Sequence, residues 1–114
     1  NWKATFMIEI DDPAERAEHL SQMIGIENKV WMRISGFEKV YPIADEDLAR
    51  DNDVKTSSVH FLRFELSHSM VVAAHNGDII EAGIDHRAYT VEGFAIPDQI
   101  RESLVKDLDK IAIN

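Results

Sequence analysis

The stretch that decides the fold is "SSVHFLRFEL", Ser57 to Leu66. Its side chains alternate with the period of two that is typical of a half-buried β-strand. Strict alternation puts His60 on the same face as Leu62, Phe64 and Leu66. Two interpretations of this titratable ring follow. It is a neutral, hydrogen-bonded core histidine, or it is a metal ligand or acid–base group in a pocket.

Strand and helix patterns continue on the N-terminal side of this strand. Residues 3–10, "KATFMIEI", alternate in the same way. The following helix has Asp12 as its cap and Pro13 at its first position. Residues 29–44 resemble two strands around Ser35-Gly36, which predicts a hairpin.

The acidic residues 45–56 are expected to form a loop or a short helix, and they lack the glycine that a calcium loop needs at its sixth position. The sequence predicts a short helix over residues 67–77, one long or two short strands over residues 78–96 and a final helix over residues 97–114. The hairpin argues against a purely parallel sheet. We therefore expect one α+β domain over residues 1–114, with a twisted, mainly antiparallel sheet and about three helices.

The charge balance disfavours some classes of partner. The chain carries 21 acidic residues against 12 lysines and arginines, a formal net charge of −9. Such a surface repels phosphate backbones and anionic membranes, so neither nucleic acid nor membrane is an expected partner. Cysteine is absent, no apolar run is long enough to span a bilayer and no signal peptide is visible. These features predict a cytoplasmic protein. Because the chain begins at Asn1 without Met, we also expect a missing N-terminal segment.

A second histidine repeats the pattern of the first. In residues 80–86, "IEAGIDH", His86 shares a face with three apolar side chains. His60 and His86 could meet across the sheet and bind a divalent transition metal such as zinc, iron or manganese. The carboxylates considered as a third ligand are Glu9, Glu65 and Asp85. No His-x-x-x-His spacing supports this metal site locally.

Three further residues are candidates for binding. Arg63 is either a surface arginine with a paired head group or a bidentate holder of an anionic ligand. Arg87 and Tyr89 follow His86, and they either line the entrance of the same candidate site or belong to a loop. Trp31 falls on the nominal outer face of its strand, so we expect a protein partner, a second subunit of a homodimer or the missing segment to cover it.

The sequence also resembles a known family. Residues 1–31, residues 41–66 and "GIDHRAY" are similar to the later two-thirds of a bacterial family that is catalogued as a domain of unknown function. The resemblance covers nearly the whole chain and implies a further N-terminal segment. In the family pattern Asp-His-Pro-x-Tyr a proline stands where this chain has Arg87, which weakens the transfer of roles to Asp85, His86 and Tyr89. Genes of the family often neighbour those for rubrerythrin and for an iron–sulfur protein related to heterodisulfide reductase.

The sequence and the family resemblance support two functions. The first is a non-enzymatic accessory or partner protein in a redox or peroxide-defence system, as the family resemblance implies. The absence of a nucleophile elbow and of a glycine-rich phosphate loop favours it. The alternative is a metal-binding protein or metal-dependent enzyme that uses His60 and His86. No catalytic residue is assigned from the sequence.

Overall fold

Six strands and three helices make up the part of the chain that the computed structural model describes, residues 2–46 and 58–106. The elements are β1 (Trp2–Met7), α1 (Pro13–Gln22), β2 (Val30–Ile34), β3 (Ile43–Ala44), β4 (Val59–Phe64), α2 (His68–His75), β5 (Ile80–His86), β6 (Tyr89–Ala95) and α3 (Asp98–Lys106). A 3-10 turn, Ile26–Asn28, lies between α1 and β2. The predicted α+β class is confirmed.

The helices begin where the sequence placed their caps. The Asp12 carboxylate accepts a hydrogen bond from the backbone N–H of Glu15 at 3.2 Å, and Pro13 is the first residue of α1. The Ser67 hydroxyl caps α2 in the same way. Most of the predicted segment 45–56, and the end of the last predicted helix beyond Lys106, lie outside the described residues. None of the described helices is long and apolar enough to cross a membrane.

The strands divide into two antiparallel sheets of three, with the orders β1-β4-β3 and β2-β5-β6. The expected hairpin is reduced to a single bridge, in which Met32 and Val40 exchange backbone hydrogen bonds. Beyond it, Pro42 has no N–H to continue a ladder. The chain then crosses to the other sheet, where β3 pairs with β4, while β2 pairs with β5.

One apolar cluster joins both sheets and α2. It contains Trp2, Ile34, Leu62, Phe64, Val71, Ala74 and Ile80. The predicted inner face of β4 is confirmed, because His60, Leu62 and Phe64 are all buried. The Trp2 indole N–H donates to the Leu104 carbonyl at 2.9 Å, which ties α3 to this cluster. His60 lies on the same face of β4 as the cluster residues Leu62 and Phe64.

Trp31 is covered by its own chain. Its side chain is only 1 % exposed, and the Lys39 Nζ atom lies 4.6 Å from the ring centroid. The ring lies over two glycines, since a Cβ atom at Gly83 or Gly93 would come within 2.5 or 2.7 Å of it. The expectation that a partner chain or a missing segment covers Trp31 is therefore corrected. Gly83, Gly93 and Lys39 cover the Trp31 ring, which the alternation pattern placed on the outer face of its strand.

Candidate metal centre

Two carboxylates from separate segments, Glu27 and Asp45, meet the buried His60 side chain. The Nδ1 atom of His60 lies 2.6 Å from Asp45 Oδ2 and 3.6 Å from Glu27 Oε2. One ligand atom from each residue lies within 4.8 Å of the other two. His60 is 0 % and Glu27 4 % exposed. Within residues 2–46 and 58–106, these are the histidine and carboxylate groups that come together in this way.

Asp45 reaches His60 because the backbone turns immediately after β3. Its φ is +52°, a left-handed conformation that aspartate tolerates better than most residues. Its N–H donates to the Phe61 carbonyl at 2.8 Å, and its Oδ1 atom accepts from the Phe61 N–H at 2.9 Å. One carboxylate oxygen is thus fixed on the β4 backbone, and the other faces His60.

Glu27 is delivered by a tight turn at the end of α1. Gly25 has a φ of +86°, which a glycine adopts without the steric cost that a Cβ atom brings. The 3-10 turn that follows buries Ile26 as an apolar anchor. With Ile26 in the core, the adjacent Glu27 side chain is held out of solvent.

An aromatic ring and a cleft border the cluster. Phe6 is paired with His60 in the β1–β4 register, and the two rings stack with centroids 6.4 Å apart. Phe6 and Ile26 also line a cleft of about 420 Å³ that reaches Glu9 and Tyr89 at the surface. Phe6 therefore separates His60 from this cleft.

The donor set suits a divalent transition metal. Two ligands at about 2.0–2.2 Å from one ion lie roughly 3 Å apart. The 2.6 and 3.6 Å separations bracket that value, so small shifts would admit an ion. Two carboxylates and an imidazole, without thiolate, match manganese, iron or zinc. A dication would also neutralise both buried carboxylates, which are costly to bury as isolated charges.

His86 has a different environment. It lies in the other sheet from His60, and its Nε2 atom donates to the Ile24 carbonyl at 2.9 Å. Its Nδ1 atom accepts from the Ala88 N–H at 3.1 Å. Both ring nitrogens therefore form hydrogen bonds with backbone groups, and these bonds connect the end of α1 to the β5–β6 turn. The shared two-histidine metal site stays a prediction, and the described contacts favour a set with two acids instead.

Arg63 binds carboxylates of its own chain. Its guanidinium meets Glu46 with two contacts, Nε to Oε1 at 2.6 Å and Nη2 to Oε2 at 3.0 Å, and it also contacts Glu65. The hydrogen bond from Arg63 lowers the pKa of the Glu46 carboxyl. This arrangement corresponds to the expected paired surface arginine, and it occupies the guanidinium that the anion-binding alternative would use.

Asp85 and Tyr89 lie apart from the cluster. The Asp85 carboxylate accepts from the Tyr41 hydroxyl at 2.6 Å and from Lys39 at 3.1 Å. These two hydrogen bonds, the Tyr41 one first, lower the pKa of Asp85. Tyr89 is half exposed on the wall of the cleft. Both residues belong to the sheet β2-β5-β6, whereas His60 belongs to the sheet β1-β4-β3.

Sequence reasoning missed both carboxylates of the cluster. Glu27 lies in the loop "GIENK" with no periodic pattern to mark it as buried. Asp45 opens a run of acids that looks uniformly solvated. The available signal was only that an acid directly follows the apolar pair Ile43–Ala44. Their proximity to His60 depends on strand pairing across the chain.

The fold and the cluster together define a two-sheet α+β domain with a candidate carboxylate–histidine metal centre. The chain belongs to the family described as "Protein of unknown function (DUF3501)", which matches residues 1–108. This confirms the expected resemblance to a domain of unknown function.

A solved structure is similar over most of the chain. It is a crystal structure of a "novel protein of unknown function" from Burkholderia pseudomallei, with 42 % identity and a TM-score of 0.87. The match covers 94 % of this chain and 55 % of that one, so this chain spans about half of its relative's length. No curated protein matches the chain.

Proposed function

We propose that this domain binds one divalent transition metal ion through Glu27, Asp45 and His60. The observation that carries the proposal is the convergence of two buried side chains and the partly buried Asp45, with one ligand atom from each within 4.8 Å of the others. Manganese, iron and zinc fit this donor set best. The metal-binding alternative from the sequence is thus retained with His60, and two carboxylates replace His86.

The convergence on one nitrogen argues against an ordinary core histidine. Here two acidic oxygens approach the same Nδ1 atom, at 2.6 and 3.6 Å. A single N–H is directed at one of them only, whereas a metal ion interacts with both and with the neutral ring nitrogen.

The burial of the site bears on its role. His60 is completely enclosed, so its burial would shield a bound ion from solvent, although three protein ligands leave a coordination position free. We therefore favour a metal that stabilises the domain or exchanges electrons over one that binds substrate directly. Both roles are compatible with a non-enzymatic protein.

The test is metal content in untagged protein, measured by plasma mass spectrometry after incubation with Mn²⁺, Fe²⁺ or Zn²⁺ and gel filtration. We expect about one ion per chain in the wild type and loss of it in Asp45→Asn and His60→Gln, with folding checked by circular dichroism. Asp85→Asn is the control, because its carboxylate lies in the other sheet. A wild type that retains none of the three ions would refute the proposal. Loss in His86→Gln as well would restore the two-histidine site.

A second candidate is the accessory role in a redox system that the family resemblance implies. Three large apolar side chains, Met7, Ile43 and Phe61, are about half exposed on or beside the outer face of the β1-β4-β3 sheet. Such exposure favours a self-association surface. Sedimentation of the wild type and Phe61→Glu tests this surface: a dimer that the variant loses would support self-association, and a monomeric wild type would contradict it.

A further inference from the structure

Two consecutive residues contact opposite faces of the β1-β4-β3 sheet. Asp45 reaches His60 on the buried face, and Glu46 reaches Arg63 on the outer face. These contacts follow from the alternation of β4, in which His60 and Arg63 point to opposite sides. The position of one side chain therefore constrains the other.

The strand pairing at this corner is short, and the Phe61 backbone also binds the N–H and the Oδ1 atom of Asp45. β3 has only two residues, Ile43–Ala44, paired with β4 before the chain turns at Asp45. The left-handed φ of +52° at Asp45 is a conformation that most residues avoid. The two-point contact of Arg63 with Glu46, at 2.6 and 3.0 Å, adds a fixed point one residue further on. A planar guanidinium fixes both the distance and the orientation of a carboxylate.

We propose that Arg63 is a positioning residue for the metal centre: it holds Glu46 and thereby keeps the Asp45 carboxylate directed at His60. The proposal rests on the metal-binding function for its effect on affinity. The structural part of the proposal, the placement of Asp45, depends only on the contacts of Arg63 with Glu46 and of Asp45 with His60. Partners that orient metal ligands typically change metal affinity by about 10- to 100-fold when they are removed. Because Arg63 and Glu46 are partly exposed, the lower end of that range applies.

The test compares three variants with the wild type in two measurements. Zn²⁺ affinity is measured by competition with a chromophoric chelator, and the ¹⁵N resonances of the His60 ring and the Phe61 amide are recorded without metal. We expect Arg63→Gln and Glu46→Gln each to weaken Zn²⁺ binding about tenfold and to shift both resonances. The double variant should be no weaker than either single one, because both changes break the same contact.

Two matched controls separate positioning from general loss of surface charge. Glu65→Gln removes the other acid that contacts Arg63 but is not adjacent to Asp45. Arg33→Gln removes a comparable arginine–glutamate pair, with Glu81, in the other sheet. Both should keep wild-type affinity and wild-type His60 resonances. Arg63→Lys should restore part of the affinity, since it keeps the charge but not the two-point geometry.

The outcomes for the two proposals are distinct. A wild type that binds none of Mn²⁺, Fe²⁺ and Zn²⁺, with His60 resonances that still move in Arg63→Gln, would refute the metal function and support the positioning role. Unchanged resonances and affinity in Arg63→Gln would overturn the positioning role whatever the wild type binds. Equal losses in Arg63→Gln and Arg33→Gln would overturn it too, because the effect would then be one of charge only.

Discussion

The Nδ1 atom of His60 lies 2.6 Å from the Oδ2 atom of Asp45, although the two residues are 15 positions apart in the chain. The antiparallel pairing of β3 with β4 brings them together, and the Phe61 backbone fixes the second Asp45 oxygen. Glu27, which lies in the 3-10 turn before β2, adds a second carboxylate near His60. With these two acids beside it, His60 is one member of a candidate metal centre and not an isolated histidine on a core face.

Metal should stabilise the fold. An ion that binds only the native state at 100 times its dissociation constant adds about 2.7 kcal/mol to the free energy of unfolding. We expect Mn²⁺ or Zn²⁺ to raise the melting temperature of the wild type and EDTA to reverse the rise. Asp45→Asn should show no such response in differential scanning calorimetry. An equal response of this variant would place the ion elsewhere.

His86 should contribute to stability and leave metal binding intact. His86→Ala removes hydrogen bonds to the Ile24 carbonyl and from the Ala88 N–H, and both backbone groups lose a partner. We expect a loss of about 2–4 kcal/mol in urea unfolding. His68→Ala is the control, because His68 is exposed at the start of α2 and should change little. Wild-type stability for His86→Ala would contradict the structural role assigned here.

The glycines beneath Trp31 should not tolerate a methyl group. A Cβ atom at Gly83 would lie 2.5 Å from the Trp31 ring and 2.8 Å from the Val91 carbonyl, while at Gly93 the close contact is with the ring alone. We expect Gly83→Ala to cost about 1–3 kcal/mol and Gly93→Ala less. Thermal unfolding measures both.

The Trp31→Leu background supplies the control for this effect. A smaller side chain at Trp31 should reduce the cost of Gly83→Ala, because the variants act on one contact. Additive costs in the double variant would show that the ring is not the cause.

Tyr41 and Asp85 should make stability depend on pH. The Tyr41 hydroxyl lowers the pKa of Asp85, and the same hydrogen bond raises the pKa of Tyr41. A lowered carboxyl pKa stabilises the fold above the unfolded value of about 3.9, and this gain is lost as pH falls through the folded pKa. A raised tyrosine pKa stabilises it below about 10, and this gain is lost as pH rises through the folded pKa.

Tyr41→Phe should therefore be less stable than the wild type at pH 7, and the difference should shrink below pH ~4 and above pH ~10. Urea unfolding across this pH range measures it. A difference that is constant with pH would indicate lost packing and not the hydrogen bond.

The sequence by itself determined the local elements. Alternation placed His60, Leu62 and Phe64 on the buried face of β4, and Asp12 and Ser67 began helices as their side-chain chemistry predicts. These features depend on periodicity and on hydrogen bonds within four residues, which are visible along the chain. The antiparallel α+β class followed from the same signals.

Only the tertiary structure decided which strands pair and which acids reach His60. The hairpin pattern at Ser35-Gly36 gave way to two sheets, since pairing partners are chosen by burial of whole faces and not by one turn. Glu27 and Asp45 have no periodic signature, and their carboxylates gain a shared partner only when the 3-10 turn and β3 close on β4. Contacts between segments distant in sequence arise from that packing, which local propensity does not encode.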